Sequence, residues 1–343
     1  MNNIYIKSIY IKELRHLKDI SINIDNNEKK NLIITGRNGS GKTTLLEAIK
    51  SYLRFFETQS PLNYRKDSSK KLYNLQNELK QIEDNHSLDP EDKKIKINQV
   101  MESIVIYKSR IERYGNWIDL DISMVELIQN AYRNGEIIFS YFDAKRNSNV
   151  TIPTGVEKVT LNEKYPIDER PAANFLKYLV DLKTQQSFAK NEGDFDESNK
   201  IELWFKKFEN ALRDIMDNPN LSLKFDYKNY NFTINEEGKI PYGFNELSDG
   251  YSAILDIIMD LIMRMENKAS RAYDLEGIVL IDEVEAHLHI SLQKKILPFL
   301  TKLFPNVQFI VTTHSPFILN SIENAVIYDL ENKTNVKDLT AYS

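Results

Sequence analysis

The chain has 343 residues, of which 41% are hydrophobic and 28% charged, the composition of a globular protein with about two domains. Forty-five basic and fifty acidic residues leave a net charge of −5, which excludes a polycationic nucleic-acid coat protein. Zero cysteines exclude a disulfide framework, a thiolate nucleophile and a cysteine-bound metal. The sequence has neither a membrane-spanning stretch nor an apolar signal core, so we expect a cytoplasmic protein without a membrane partner.

The N-terminal segment predicts strands followed by a helix. Apolar and polar residues alternate over residues 4–11 and 20–24, and the apolar run NLIIT at 31–35 is typical of a strand buried in a parallel sheet. A helix over residues 42–56 follows, because its apolar residues recur on one face.

The next segment predicts a helical hairpin. Apolar residues over 68–84 and 100–114 are spaced by three and four, as in two antiparallel helices of a short coiled coil. The polar sequence HSLDPED at 86–92 separates them as a turn. Each arm would be about 25–40 Å long, and its nearly balanced charge favours a solvated hairpin over a nucleic-acid-binding arm.

The remaining residues alternate between helices and strands. We predict helices over 172–190, 198–216, 251–265 and 292–303, and strands over 135–143, 221–234 (a hairpin), 277–281 and 307–312. This alternation predicts an α/β fold with a mixed sheet.

Residues 36–43, GRNGSGKT, match the pattern G-x-x-x-x-G-K-[ST] of a phosphate-binding loop and lie between a predicted strand and a predicted helix. The glycines allow backbone N–H groups to surround a phosphate, and the helix N-terminus adds partial positive charge. Lys42 supplies a mobile cation to the β- and γ-phosphates, and Thr43 offers a hydroxyl to Mg²⁺. We assign ATP contacts to Gly36, Arg37, Asn38, Gly39, Ser40, Gly41, Lys42, Thr43 and Thr44.

The predicted strand GIVLIDE at 277–283 ends in two carboxylates. Asp282 can hold Mg²⁺, and Glu283 can polarise the water that attacks the γ-phosphate. Many strands end in acids, so this pattern is weak alone and becomes strong beside a phosphate-binding loop.

Two further segments are candidates for phosphate contacts. Ser248 and Gly250, in NELSDGYS, begin a predicted helix, where they either cap the helix or form a second anion site for ATP held by another subunit. His314, in FIVTTHSP, ends a predicted strand, and its order and spacing after Asp282 favour a γ-phosphate sensor over a structural histidine. We therefore expect Lys42, Glu283 and His314 to act in catalysis.

These four motifs, in this order, resemble the ABC-type ATPase heads of SMC, double-strand-break-repair and OLD-family proteins. The closest resemblance is to the stand-alone bacterial AAA-15/AAA-21-type ATPases of phage-defence systems such as Septu, PARIS and retron cassettes. It implies that Ser248, Asp249 and Gly250 of LSDG reach ATP across a dimer interface, and that EAHLH at 285–289 pairs across the same interface. It also implies that Arg15, in ELRHLKD, lies near the nucleotide.

The sequence departs from the family pattern at two places. Asp249 stands where the signature usually has its first glycine. The glutamine expected after the strand at 135–143 is absent, and Asp143, Ala144, Lys145 and Arg146 stand there instead. His287 and His289 are interpreted as interface residues rather than metal ligands, since they lie two apart on a loop without cysteines.

The resemblance implies an α/β ABC-ATPase head with a phosphate-loop helix, an inserted helical hairpin and a helical signature subdomain. We divide the chain into an N-terminal lobe (1–56), a hairpin insertion (57–131), a middle subdomain (132–245) and a C-terminal lobe (246–343). The expected protein is a homodimer or higher oligomer that uses ATP and Mg²⁺ as a switch. Its expected partner is an effector, a nuclease or toxin, encoded nearby in an antiviral defence system.

Three rival functions remain. An SMC-like DNA-binding or DNA-repair ATPase, with nucleic acid as a partner, remains the alternative, although the hairpin is short for that class. An OLD-type nuclease would need a Toprim domain after His314. A transporter ATPase would be expected to carry the missing glutamine and to couple to a membrane protein.

Overall fold

The computed structural model describes residues 3–25, 27–58, 62–85, 89–114, 118–146, 149–267 and 273–336. Its strands are β1 (Ile6–Leu14), β2 (Leu17–Asn23), β3 (Asn31–Thr35), β4 (Ile118–Ile122), β5 (Ile137–Phe142), β6 (Ser222–Asp226), β7 (Asn231–Asn235), β8 (Glu276–Ile281), β9 (Val307–Thr312), β10 (Ala325–Asp329) and β11 (Thr334–Asn335). Its helices are α1 (Lys42–Glu57), α2 (Leu62–Asp84), α3 (Pro90–Tyr114), α4 (Val125–Arg133), α5 (Phe175–Asn191), α6 (Phe195–Met216), α7 (Asp249–Met265), α8 (Ile290–Leu303) and α9 (Pro316–Leu319).

A mostly parallel sheet carries the strands that end at the candidate site. Its order is β11-β10-β3-β9-β8-β5, in which β11 alone pairs antiparallel. Strands β3, β5, β8 and β9 are buried along their whole length, which explains their continuous apolar sequences. Because parallel strands end at the same edge of a sheet, the loops after β3, β8 and β9 meet there.

Helix α1 lies between this sheet and a second, antiparallel sheet of order β2-β1-β4. One core cluster joins Leu46 of α1 with Ile9 of β1 and Leu32 of β3. A second cluster lies on the other face of the parallel sheet, where Ile33 of β3 packs with apolar residues of α5, α6, α7 and α8. Because neighbouring side chains of a strand point to opposite faces, Leu32 and Ile33 enter different cores.

Residues 118–133 differ from the sequence-based expectation, which placed 57–131 in the hairpin insertion. Strand β4 pairs antiparallel with β1, and α4 packs against α1. The second hairpin helix, α3, ends at Tyr114, so the helical hairpin covers less of the chain than the predicted insertion. The alternation in β4 covers five residues, too few to mark a strand against the helical pattern that precedes it.

Helices α2 and α3 pack against each other as the predicted hairpin, but both begin earlier than expected. They contain 23 and 25 residues, which at ~1.5 Å per residue gives arms of about 35–38 Å. Residues 86–88 of the expected turn lie outside the described residues. The side chains of Ile111 and Tyr114, which belong to the apolar pattern over 100–114, lie outside the described residues as well.

The other predicted elements are confirmed, with boundaries shifted by a few residues. Strands β6 and β7 form the predicted antiparallel hairpin, and the helix predicted to begin at residue 172 starts with a 3₁₀ turn at Pro171–Asn174. Strands β10 and β11 were not predicted. The α/β fold with a mixed sheet is thus confirmed, and none of the described helices is long and apolar enough to cross a membrane.

Candidate functional site

The loop over residues 36–41 joins β3 to α1 in a conformation that requires glycine. Gly36, Gly39 and Gly41 have φ of +138°, +80° and +99°, a region that L-residues rarely adopt. A Cβ on Gly36 would also lie 2.9 Å from Ser40 Oγ. The Ser40 hydroxyl is buried and has no hydrogen-bond partner among the described residues. The loop is therefore tight, and its N–H groups and helix N-terminus suit a phosphate.

Lys42 begins α1 and is buried within this loop. Its Nζ donates to the carbonyl of Gly36 at 2.8 Å and to that of Arg37 at 3.1 Å. Burial lowers the pKa of Lys42, while the nearby Glu283 and Asp282 carboxylates raise it. The ammonium is thus held by the loop and faces the acids at the end of β8.

The remaining residues assigned to ATP lie on or beside the same loop. Arg37 and Asn38 are exposed, and Arg37 Nε lies 3.3 Å from the carboxylate of Glu331, just after β10. Thr44 is half-buried in the first turn of α1. Arg37 and Asn38 thus lie on the outer side of the loop, and Thr44 lies in the helix that follows it.

Thr43 and Asp282 connect the phosphate-binding loop to the end of β8. The hydroxyl of Thr43 donates to Asp282 Oδ2 at 2.8 Å, although 239 positions separate the two residues. The other oxygen, Oδ1, accepts from the hydroxyl of Thr312 at 2.6 Å, and Asp282 is 4% exposed. A hydroxyl oxygen and a carboxylate oxygen in contact are ligands that suit Mg²⁺.

Glu283 follows Asp282 in a strained backbone conformation. Its φ is +44°, which a non-glycine residue adopts at a cost of about 1 kcal/mol or more. Its N–H donates to Thr312 Oγ1 at 2.8 Å, and the N–H of Val284 donates to the Thr312 carbonyl at 3.0 Å. Glu283 is half-buried, and its carboxylate is near enough to raise the pKa of Lys42, so it lies where it could accept a proton from water at this site.

His314 lies just beyond β9, and its imidazole is exposed. Its backbone N–H donates to Glu285 Oε1. Ser315 Oγ donates to Gln293 Oε1 at 2.6 Å, and Gln293 Nε2 donates to the Leu288 carbonyl at 2.8 Å. These bonds tie the loop after β9 to the loop after β8.

Ser248 is the N-cap residue of α7, but its side chain makes no capping hydrogen bond. Ser248 and Asp249 are both exposed, whereas Gly250 is buried. A Cβ on Gly250 would lie 2.9 Å from the carbonyl oxygen of His287. The N-terminus of α7 therefore packs directly on the loop after β8, with its first two side chains facing outward.

Arg15 occupies the turn between β1 and β2, with φ of +56°, and is exposed. The adjacent His16 places Nε2 3.0 Å from the Ser40 carbonyl oxygen. A Cβ on Gly41 would lie 2.9 Å from Leu17 Cδ1, on the other side of the turn. The turn thus packs against the phosphate-binding loop, which places Arg15 beside it.

His287 and His289 are exposed on the loop between β8 and α8. The imidazole of His289 caps α8, with Nδ1 3.1 Å from Ser291 Oγ. Within the described ranges, no group of three or more acids and histidines is arranged to hold a metal.

Two residues at the site were missed by sequence reasoning. Thr312 binds both Asp282 and Glu283, and its only sequence signal is a polar residue directly after the apolar run FIV of β9. Arg146 is 4% exposed, and its guanidinium donates to the carbonyls of Asp282 and Glu283. Arg146 belongs to the segment that stands in place of the expected glutamine, and no sequence pattern indicates these acceptors.

The sequence profile of the family described as “AAA domain, putative AbiEii toxin, Type IV TA system” matches residues 32–320. That interval contains the phosphate-binding loop, both acids at the end of β8 and His314.

Individual proteins are also similar to this chain. “Septu protein PtuA” of Bacillus mycoides is 46% identical over 89 residues, which are 26% of this chain and 12% of that protein. “Retron Vc95 probable ATPase” of Vibrio cholerae is 23% identical over an alignment that covers 95% of this chain and 74% of that protein. The solved SMC head bound to the C-winged helix domain of ScpA aligns over 96% of each chain, at 12% identity and a TM-score of 0.45.

Proposed function

The chain belongs to the AAA_21 family, and from this premise we propose that it binds ATP with Mg²⁺ and hydrolyses it. The observation that carries the proposal is the 2.8 Å hydrogen bond between Thr43 and Asp282. It joins a loop with phosphate-binding geometry to the strand end that carries the acids, so nucleotide, metal and base would share one site.

Each residue has a defined task in this proposal. The loop N–H groups and Lys42 bind the phosphates, and Lys42 neutralises their charge inside a buried site. Thr43 and Asp282 would hold Mg²⁺, which supplies positive charge beside the phosphates when bound. Glu283 takes a proton from the attacking water. His314 would contact the γ-phosphate through its exposed imidazole.

We further propose that two protomers complete the site. Ser248 and Asp249 are exposed at the N-terminus of a helix, and the exposed Arg15 lies beside the phosphate-binding loop. The Ser248 hydroxyl and the Arg15 guanidinium are donors that face outward, which suits a nucleotide shared between two copies of the chain, whereas Asp249 adds a carboxylate at the same helix N-terminus. ATP would then hold the dimer together, and hydrolysis would release it.

The biological role that we propose is that of an ATPase switch in antiviral defence. Relatives named for the Septu and retron systems support this role. We propose that a separate effector, a nuclease or toxin encoded nearby, delivers the damage. Cells should tolerate the chain expressed alone, whereas protection against phage should require the neighbouring gene and should disappear with Lys42→Ala.

Nucleotide binding can be tested with two lysine variants of one helix. Lys42→Ala should lose most of the affinity for Mg²⁺–ATP in calorimetry, because the buried cation of the loop is removed. Lys50→Ala is the matched control, since Lys50 also lies on α1 but contacts Asp168 at 3.5 Å and the Tyr141 ring at 4.2 Å. Wild-type affinity in Lys42→Ala would contradict the proposal.

A further inference from the structure

Arg146 lies in the loop after β5 and reaches across to the end of β8. Its Nη1 donates to the carbonyl of Asp143 at 3.0 Å and to that of Asp282 at 2.6 Å. Its Nη2 donates to the carbonyls of Glu283 at 2.9 Å and Val284 at 3.3 Å. One guanidinium group thereby contacts three consecutive peptide carbonyls that include both acidic residues of the site.

These hydrogen bonds restrain the backbone of Glu283, the residue with the strained φ. Glu283 is held from one side by its N–H, which donates to Thr312, and from the other by its carbonyl, which accepts from Arg146. The preceding residue, Asp282, is held in the same way, because its N–H donates to the Phe142 carbonyl at 2.8 Å and its carbonyl accepts from Arg146. A φ of +44° persists where surrounding bonds determine the conformation, and Arg146 supplies the bonds on the carbonyl side.

The guanidinium is well suited to this task. Its planar fork presents several donors in fixed directions, whereas a lysine ammonium is a point charge. Burial lowers the pKa of Arg146, while the carboxylates of Asp256, Glu285 and Asp143 raise it. An arginine remains protonated in such surroundings, so all of its donors stay available.

We propose that Arg146 is a positioning residue that fixes the peptide of Glu283, and with it the carboxylate, in the orientation needed for hydrolysis. It acts through backbone carbonyls and makes no contact with ATP. This inference rests on the proposed ATPase function and assigns a task to the loop that lacks the expected glutamine.

The test compares Arg146→Ala and Arg146→Lys with the wild type. Both variants should keep an affinity for Mg²⁺–ATP close to that of the wild type, because the phosphate-binding loop is untouched. Their kcat should fall about 100-fold, the loss typical of a misplaced catalytic group. The lysine variant retains the charge but not the fork, so it should recover little of the lost kcat.

Chemical rescue separates positioning from a general loss of structure. Arg146 lines a cavity of about 210 Å³ together with Lys145, Arg170 and Asp256, which gives a small cation a route to the vacated site. Added methylguanidinium should raise the kcat of Arg146→Ala at least about tenfold. Methylammonium should not raise it, because only methylguanidinium has the planar fork. Equal rescue by both cations would overturn the proposal.

Arg264 provides a matched control. It is 3% exposed and also donates to backbone carbonyls, those of Phe139 and Tyr165, but it does not contact the residues after β8. Arg264→Ala should lower the unfolding temperature while the folded protein keeps its kcat. A wild-type kcat in folded Arg146→Ala would overturn the inference, whereas a wild-type protein without turnover would overturn the proposed function instead.

Discussion

Glu283 provides the most direct test of the chemistry at the scale of one residue. The variant Glu283→Gln keeps the shape of the side chain but removes the charge that accepts a proton from water. We expect kcat to fall by about 10²–10³, the range for a lost acid–base group, with binding of Mg²⁺–ATP retained. Steady-state turnover together with calorimetry would measure both quantities.

The control for this variant is Glu276→Gln, at the other end of the same strand. The Glu276 carboxylate accepts hydrogen bonds from the N–H groups of Asn3 and Ile4, so its loss should lower stability and leave kcat unchanged. If Glu283→Gln hydrolysed ATP at the wild-type rate, the base would have to be a different residue.

Asp256, on α7, provides a prediction about pH. Burial raises its pKa to about 6, Asp260 and Asp143 add to the shift, and Arg170 and Arg146 oppose it. The folded state therefore binds more protons than the unfolded state between about pH 4 and 6, so stability falls as pH rises through this window. Above about pH 6 the buried, ionised carboxylate lowers the free energy of unfolding by about 3 kcal/mol, which corresponds to a pKa shift of roughly two units.

Asp256→Asn cannot ionise and should avoid this cost. The variant should therefore unfold at a higher temperature than the wild type at pH 7.5, and the difference should shrink towards pH 4.5. Scanning calorimetry at both pH values would measure it, and taking the difference between the two proteins cancels the titration of unchanged groups. The same difference at both pH values would contradict the assignment.

At the scale of elements, the contact between α7 and the loop after β8 determines where the outward-facing Ser248 and Asp249 lie. Gly250→Ala would place a Cβ 2.9 Å from the His287 carbonyl, and the helix N-terminus would have to move. We expect turnover to fall severalfold with little change in nucleotide affinity. Gly155→Ala is the control, because a Cβ there has no neighbour within 4 Å. Unchanged turnover in Gly250→Ala would show that this contact does not affect the site.

The elements differ in how well the sequence predicts them. Strands β3 and β8 were predicted because both are uninterrupted apolar runs bounded by polar residues, a strong local pattern. Strand β4 was missed because its alternation is short and its partner β1 lies over a hundred residues earlier, so tertiary pairing rather than local pattern stabilises it. The same limit applies to β10, which is defined by its pairing with β3.

The same distinction holds for the candidate site. Lys42, Thr43 and their glycines were predicted because consecutive residues in one loop carry the phosphate-binding geometry. Thr312 and Arg146 were not, because their importance depends on acceptors contributed by β8, which come close only in the folded chain. A threonine at a strand end or an arginine in a loop has no local signature for such a task.

At the scale of the whole molecule, the topology brings the site together. The order β3-β9-β8 makes β9 the neighbour of both motif-bearing strands, so Thr312 lies where it can reach Asp282. Since these residues belong to one protomer and Ser248 faces outward, we propose that a second protomer completes each ATP site.

The turnover of heterodimers shows whether two protomers share each ATP site. Lys42→Ala should prevent ATP binding in its own protomer, and Ser248→Arg should block the site of the opposite protomer, so each homodimer should be inactive. A heterodimer of the two variants has both lesions in one site and none in the other. Purified with two different tags, such heterodimers should recover about half of the wild-type turnover, as two independent sites require. Heterodimers that form and hydrolyse no ATP would contradict independent sites shared across the interface.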